Sequence, residues 1–419
     1  MPSRRSALPL VGVLIVQTIV GCAARPCPIE GAGKPTPLPT EDGVPVNQWY
    51  MNTKDADGAK LQHYIAEYGI ESKPGNTIIV LHGGWGSEHS YLVPVIKPLA
   101  SEYRFVLYDQ RGSLRSPANP PAKITYANLI EDLDQLRQRL GLEKVTLMAH
   151  SMGNQLAYGY LSAHPDRVAG LVLVGPILPG SDSGTAEAPR WAELSVMESW
   201  PGYSEAQSKE RDARLEQWKR ECTDRWTRIA ADEGLIPRDW ATQHPPETDP
   251  DLQALYLKTD QQKTMGWRIS FTAVNTYSGR NWRQTLGGMV FYNQDVAQQI
   301  FAEPDYSSMV DAGWRALRSF TGPVRVIIGT HDYVDFGPTF WPKVVERIPN
   351  AHLDTIQNAG HSIWMDEPEA FNRSLRSALE AVGGWNTISL AEDTDLTYRL
   401  FIAGMRVAYV ASAACYEES

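Results

Sequence analysis

Cysteine is scarce in this chain. Cys22, Cys27, Cys222 and Cys415 are the only four in 419 residues, too few for a disulfide framework and at spacings that make no zinc site. Positive charge is also short. Lys and Arg number 39 against 49 Asp and Glu, a net charge of −10, with no long basic block, which excludes a protein that tracks a nucleic-acid duplex. There is no phosphate-binding Gly-x-Gly-x-x-Gly and no P-loop lysine, so neither a cofactor nor a metal is expected. What remains is ordinary globular composition, 42% apolar, 10% aromatic and 21% charged. That excludes a wholly disordered, collagen-like or coiled-coil chain.

The first apolar run, Ala7 to Val20, follows Arg4 and Arg5 and is fourteen residues long. It is too short to span a bilayer comfortably but suits the core of an export signal. It ends in Ile19-Val20-Gly21-Cys22, which resembles a bacterial lipobox, where the cysteine receives lipid and becomes the mature N-terminus. A plain secretory signal with a cysteine near its end would read the same way. Residues 1–21 are therefore expected to be a lipoprotein-type signal peptide, and Cys22 the lipidation site. Residues 22–46 are Pro- and Gly-rich without periodicity, as a tether would be. The expected location is the bacterial cell envelope, with membrane contact through the lipid anchor alone.

Downstream, the pattern alternates. Trp49–Thr53 and Lys60–Tyr68 read as antiparallel edge strands, and Thr77–Leu81, Arg104–Tyr108, Lys144–Ala149, Val168–Val174, Val324–Ile328 and His352–Ile356 as short apolar strands. Leu129, Ile130, Leu133, Leu136 and Leu140 recur at helical spacing before Gly141, a C-terminal cap. Further helices are expected at Met152–His164, Val344–Ile348 and Glu367–Ala381. Apolar strands alternating with helices predict an α/β fold, a mostly parallel sheet covered on both faces. Residues 181–317 break the rhythm and hold eight of the thirteen tryptophans, with 21 acidic against 15 basic residues. So long an interval between two strands reads as an inserted helical lid domain, its tryptophans mostly core. The sheet domain then occupies residues 47–180 and 318–380.

Three strand ends carry chemistry. Ala149-His150-Ser151-Met152-Gly153 sits between a strand and a helix, where small residues on either side permit a sharp turn that presents the Ser151 hydroxyl. A serine nucleophile needs a base, and the base an orienting acid. His361, in Asn358-Ala359-Gly360-His361-Ser362, follows the last strand, and Asp332, in Gly329-Thr330-His331-Asp332, follows the one before. Asp335 is the alternative acid, and His150 and His331 read as lining residues. The loop His82-Gly83-Gly84-Trp85-Gly86 follows Thr77–Leu81, and the amides of Gly84 and Met152 are the candidate oxyanion donors. The glycines would be needed equally for a tight turn.

Together these residues resemble the α/β-hydrolase family over about residues 47–180 and 318–380. Asp109-Gln110-Arg111-Gly112-Ser113-Leu114-Arg115-Ser116 and the His-Gly-Gly-x-Gly loop are similar to the proline iminopeptidase branch. That resemblance implies an α/β-hydrolase fold, a helical lid at 181–317 with acids holding a substrate's free amine, and release of N-terminal residues from short peptides. The branch usually has Pro at Trp85, Gly at Leu114 and Gly at Ala149. Ester, lactone or amide hydrolysis by the same residues is the alternative, and a non-catalytic binding protein a third. Residues 376–419, with Gly383-Gly384-Trp385 and Leu390-Ala391-Glu392-Asp393, resemble the acceptor side of family-2 glycosyltransferases. No nucleotide-sugar half precedes them, so the tail at 381–419 is expected to be a non-functional fragment. An ordinary acidic helix and strand would be the plainer account.

Overall fold

The computed structural model describes residues 40–41, 44–55, 57–69, 77–118, 122–177, 226–239, 259–278, 280–285, 293–332, 334 and 337–382, with single helical positions at 209, 213, 217 and 220. Cys22 with its export segment, the tether through residue 39, Asp335 and the tail from residue 383 lie outside them; residues 40–41 and 44–46, expected as the end of the tether, are strand instead, because they pair into the edge of the sheet.

The strands are β1 (Thr40–Glu41), β2 (Val44–Lys54), β3 (Lys60–Tyr68), β4 (Thr77–Leu81), β5 (Arg104–Tyr108), β6 (Val145–His150), β7 (Val168–Val174), β8 (Val324–Gly329) and β9 (Ala351–Ile356). They form one sheet in the order β1-β2-β3-β5-β4-β6-β7-β8-β9. β1 to β3 pair antiparallel, and β3 joins β5 antiparallel. From β5 to β9 every pairing is parallel. The parallel strands are apolar throughout because both faces are covered. Ile79, Leu81, Leu147, Ala149, Leu171 and Leu173 enter one core, and their neighbours Ile78, Val80, Met148, Val172 and Val174 enter another.

Helices cover both faces. Helix α1 (Val93–Ile96) lies on the second core; α2 (Tyr126–Arg139) and α3 (Met152–Ala163) lie on the first. Thr125 caps α2 by accepting the Asn128 N–H. At its other end Gly141 takes φ +69°, a left-handed conformation that glycine adopts without a Cβ penalty.

Within the interval 181–317, α4 (Asp260–Asn275) starts in a capping box between Thr259 and Gln262. With residues 226–236 and Trp282 it encloses a small core of its own, containing Trp226, Leu235, Ile236 and Ile269. The following helices, α5 (Gln294–Phe301) and α6 (Tyr306–Ser319), are packed instead on the main core. Val296, Ile300, Val310, Trp314 and Leu317 join it, and the Tyr306 hydroxyl donates to Gln155 Oε1 at 2.5 Å. Gly313 lets α6 approach α3: a Cβ there would lie 3.0 Å from the Tyr158 backbone.

Between β8 and β9 the expected helix at 344–348 is displaced. The structure has α7 at Gly337–Val345, with Pro342 inside it and residues 346–350 in turns. Pro342 reads locally as a breaker. Burial of Phe340, Trp341 and Val344 on one side outweighs one lost backbone bond, while Pro342 itself is exposed. Two helices close the fold, α8 (Ile363–Asp366) and α9 (Pro368–Ala381), which buries Phe371, Leu375, Ala378 and Leu379 in the second core.

Candidate active site

Ser151 stands between the end of β6 and the start of α3 with φ 53° and ψ −126°. A non-glycine residue with positive φ costs of order 1 kcal/mol or more and persists only where its surroundings hold it. Here the Ser151 N–H donates to Val174 O at 3.2 Å, and its carbonyl accepts the Asn154 backbone N–H and side-chain amide, both at 2.9 Å. The turn is possible because the neighbouring backbones come very close. A Cβ on Gly153 would lie 2.5 Å from Leu81 O, and one on Gly83 would lie 2.6 Å from Ser151 Cβ. Ser151 is half-buried, at the carboxyl edge of the sheet.

His361 and Asp332 reach the same edge from the loops after β9 and β8. The His361 Nδ1–H donates to Asp332 Oδ2 at 2.9 Å, with both residues almost fully buried. Asp332 Oδ1 accepts the Val334 N–H at 3.1 Å. This carboxylate fixes the imidazole tautomer, leaving Nε2 as the lone-pair nitrogen. Nε2 is buried and has no hydrogen-bond partner among the described residues. Gly175, at φ 46° after β7, makes room for the ring: a Cβ there would lie 3.0 Å from Nδ1. Sequence reasoning missed Gly175; its place one residue past a strand was the only local signal.

The glycine loop faces Ser151 from β4. The Gly83 N–H donates to the Tyr91 hydroxyl at 2.6 Å. Gly84 takes φ 68°, and its N–H has no acceptor among the described residues. Met152 is the first residue of α3, where an N–H has no partner within the helix. His82 fixes the loop to the one beyond β5. Its Nε2 accepts the Gln110 N–H at 3.1 Å, and its carbonyl accepts the Gln110 side chain at 2.9 Å. Burial drives the His82 imidazole below its ordinary pKa, which suits a nitrogen used as an acceptor.

His150, expected as a lining residue, packs directly against His361. Its ring centroid is 4.8 Å from that of His361 and 4.9 Å from that of Trp364. His331 instead packs at the rim, its ring centroid 4.5 Å from that of Tyr277.

The residues Asp109 to Ser116 buttress the loops. Asp109 accepts from the His89 ring at 2.6 Å, the His89 N–H at 3.2 Å and the Arg115 N–H at 3.1 Å. Burial alone would raise its carboxyl, but the His89 contacts outweigh that and hold it below its ordinary value. Arg111 makes two bonds of 2.8 Å to Asp132, all of it buried. Among the described residues, Glu88, His89 and Asp109 bring three possible metal-donor atoms within 4.8 Å of one another. Their bonds run within the protein: Glu88 accepts from Ser90, and His89 pairs with Asp109.

A further group joins α4 to the loop that carries His361. Asp366 accepts the N–H groups of Tyr277 at 2.7 Å, Ser278 at 3.2 Å and Gly360 at 2.9 Å. The Ser362 N–H donates to Asn275 O at 2.8 Å. No sequence motif points to Asp366, because these three bonds are all from main-chain amides.

Comparison with known proteins agrees with this architecture. A family model described as alpha/beta hydrolase fold matches residues 76–368. A second, described as glycosyl transferase family group 2, matches residues 374–419; its first residues, through Ala381, lie in α9, which places Leu375, Ala378 and Leu379 in the core of the sheet domain. The proline iminopeptidase of Heyndrickxia coagulans is 35% identical over 126 residues, 29% of this chain and 40% of the relative. A protein assigned as a carbamate hydrolase in Caulobacter vibrioides is 31% identical over 100 residues, 24% of this chain and 37% of the relative. Both matches span well under half of the relatives' own length. The solved thermophilic esterase of Thermogutta terrifontis, with malate bound, aligns over 80% of this chain and 99% of its own, with a TM-score of 0.48 and 18% identity. With the family model matched over most of its length, the chain belongs to the alpha/beta hydrolase fold family and is an enzyme of that fold.

Proposed function

We propose that the chain is a serine hydrolase in which Ser151, His361 and Asp332 form the catalytic triad. The observation that carries this reading is the buried Nε2 of His361, which has no partner among the described residues and whose opposite nitrogen is fixed on Asp332. Ser151 Oγ attacks the substrate carbonyl carbon while its proton passes to His361 Nε2. The developing oxyanion is held by the N–H groups of Gly84 and Met152. The imidazolium then returns the proton to the leaving nitrogen or oxygen as that bond breaks, giving an acyl-enzyme. Water, deprotonated by the same nitrogen, releases the acid and restores the serine.

The substrate reading is an aminopeptidase of proline iminopeptidase type, releasing N-terminal residues from short peptides. It is supported by identity to a proline iminopeptidase over 126 residues and by the acidic balance of residues 181–317. Hydrolysis of a small ester, lactone or amide is the second reading, favoured by Trp85, Leu114 and Ala149 standing where the iminopeptidase branch has Pro, Gly and Gly. The two separate on kcat/KM for aminoacyl anilides, proline included, against the same anilides with a blocked amine and against short aryl esters. Preference for the free amine, lost in Ser151→Ala, supports the aminopeptidase. Ester turnover indifferent to the amine overturns it, and turnover unchanged in Ser151→Ala overturns the serine mechanism.

Export and anchoring through Cys22 belong to the same proposal, on the strength of Ile19-Val20-Gly21-Cys22. Metabolic labelling with a fatty acid should mark the wild-type protein and not Cys22→Ser; equal labelling of both refutes it.

A further inference from the structure

Tyr91 and His150 connect the loops that meet at Ser151. Tyr91 lies in the turn His89–Leu92 that follows the glycine loop and is buried. Its oxygen accepts the Gly83 N–H at 2.6 Å. A phenol that accepts one hydrogen still has its own to donate, and His150 Nδ1 stands 2.8 Å away. With that hydrogen given to it, Nδ1 of His150 is assigned the lone pair and Nε2, which has no partner among the described residues, the ring hydrogen. Burial first, then the neighbouring His361, push the His150 imidazole well below its ordinary pKa, so the ring stays neutral. The link runs from the glycine loop through Tyr91 to the residue that precedes Ser151.

The consequence falls on the glycine loop. Gly83 and Gly84 present consecutive amides beside Ser151, and only a donor aimed where charge develops lowers the barrier. Tyr91 occupies the Gly83 N–H, which leaves the Gly84 N–H as the open one. Without the hydroxyl, the Gly83 N–H would be buried with no acceptor, which is costly enough to turn the peptide toward another partner. The peptide that carries the Gly84 N–H is the next one along and would turn with it.

We propose that Tyr91 and His150 are positioning residues that determine which amide of the glycine loop meets the oxyanion: the His150 lone pair orients the Tyr91 hydroxyl, and the hydroxyl locks Gly83. The proposal rests on the serine-hydrolase reading above, and it assigns His150 a role in the geometry of the donors and none in the transfer of the proton.

The test uses the full-length protein as wild type, Tyr91→Phe, His150→Leu and His150→Asn. Asn retains an acceptor near the place of Nδ1, and Leu does not. Three quantities are read: kcat and KM, the inhibition constant of a boronic acid that forms a tetrahedral adduct on the serine, and that of the reaction product as a ground-state competitor. Tyr91→Phe and His150→Leu are expected to lose roughly 10- to 100-fold in kcat, less than removing a donor outright, with KM changed by less than about threefold. Boronate binding should weaken by a matching factor and product binding should not. His150→Asn should recover most of both losses. Equal weakening of boronate and product, or His150→Asn no better than His150→Leu, would mean a merely structural role and overturn the proposal. Wild-type boronate affinity in Tyr91→Phe would overturn it too. If the boronate does not inhibit the wild type and Ser151→Ala still turns over substrate, the serine mechanism itself fails and this inference falls with it.

Discussion

Gly83→Ala tests how closely the glycine loop approaches Ser151. Gly83 is buried and its φ lies outside the left-handed region, so alanine brings no backbone strain and its effect is steric. The added Cβ would lie 2.6 Å from Ser151 Cβ, 3.0 Å from His150 O and 3.1 Å from the Tyr91 hydroxyl. Two methyl-type carbons need about 3.5 Å or more, so the loop and Ser151 must separate by close to 1 Å. Overpacking of this kind costs roughly 1–3 kcal/mol of stability. Its effect on catalysis should be larger, because a misplacement near 1 Å can remove on the order of 100-fold in rate. The assay is kcat/KM on the best substrate of the anilide and ester panel, beside the urea midpoint of unfolding. A folded Gly83→Ala within threefold of wild type, with Ser151→Ala inactive, would refute the claim that this loop supplies a donor at the site.

Asp332→Asn retains the shape of the acid but can stabilise the wrong imidazole tautomer, so kcat should fall on the order of 10³- to 10⁴-fold with a smaller change in KM; a loss under tenfold would shift the acid's role to another residue. Leu375 is fully buried in α9 although it lies in the stretch matched by the glycosyl transferase model. Leu375→Ala should therefore cost about 2–5 kcal/mol in urea unfolding, and a cost below 0.5 kcal/mol would mean that α9 does not belong to the sheet domain. Asp134 concerns acid stability. Burial works against its ionised form, but bonds from Arg137, Gln138 and Tyr160 prevail and bring its pKa from 3.8 to about 2. A folded pKa below the unfolded one gives stability that is complete above the unfolded value and lost as pH falls through the folded one. The urea midpoint should therefore drop more steeply from pH 4 to 2 in wild type than in Asp134→Asn; equal slopes would refute the assignment. Asp109 and Asp132 shift in the same direction, so the variant should retain part of the slope.

Most of the sheet was legible because its parallel strands are short apolar runs closed by Gly, Pro, Asp or His. Thr77–Leu81, Arg104–Tyr108 and Val168–Val174 have the bounds that their composition implies. Ser151, Asp332 and His361 could be found for a related reason: each lies just past such a run, where a parallel sheet gathers its functional groups. The structure brings His361 and Asp332 into direct contact and sets Ser151 in a strained turn. What could not be read was contact between segments far apart in the chain. Tyr91 meets His150 across 59 positions, Gly175 is needed only because His361 comes to lie against it, and α7 runs through Pro342 because Phe340 and Trp341 find a core. The main-core packing of α5 and α6 was hidden likewise, since a helix period shows that one side is buried but not against what.

Three of the bonds at the Asp366 junction are to main chain. Its carboxylate receives two amides from the end of the inserted helical segment and one from beside His361, and every amino acid except proline supplies such a group. Substitution at positions 277 and 278 should thus leave these two amide bonds in place as long as proline is avoided, and the ring of Tyr277 also rests on His331. A joint of this kind lets the inserted segment diversify in sequence while remaining seated against the histidine loop. Substitution of Asp366 is the exception, because one lost carboxylate would release three strands of the connection together.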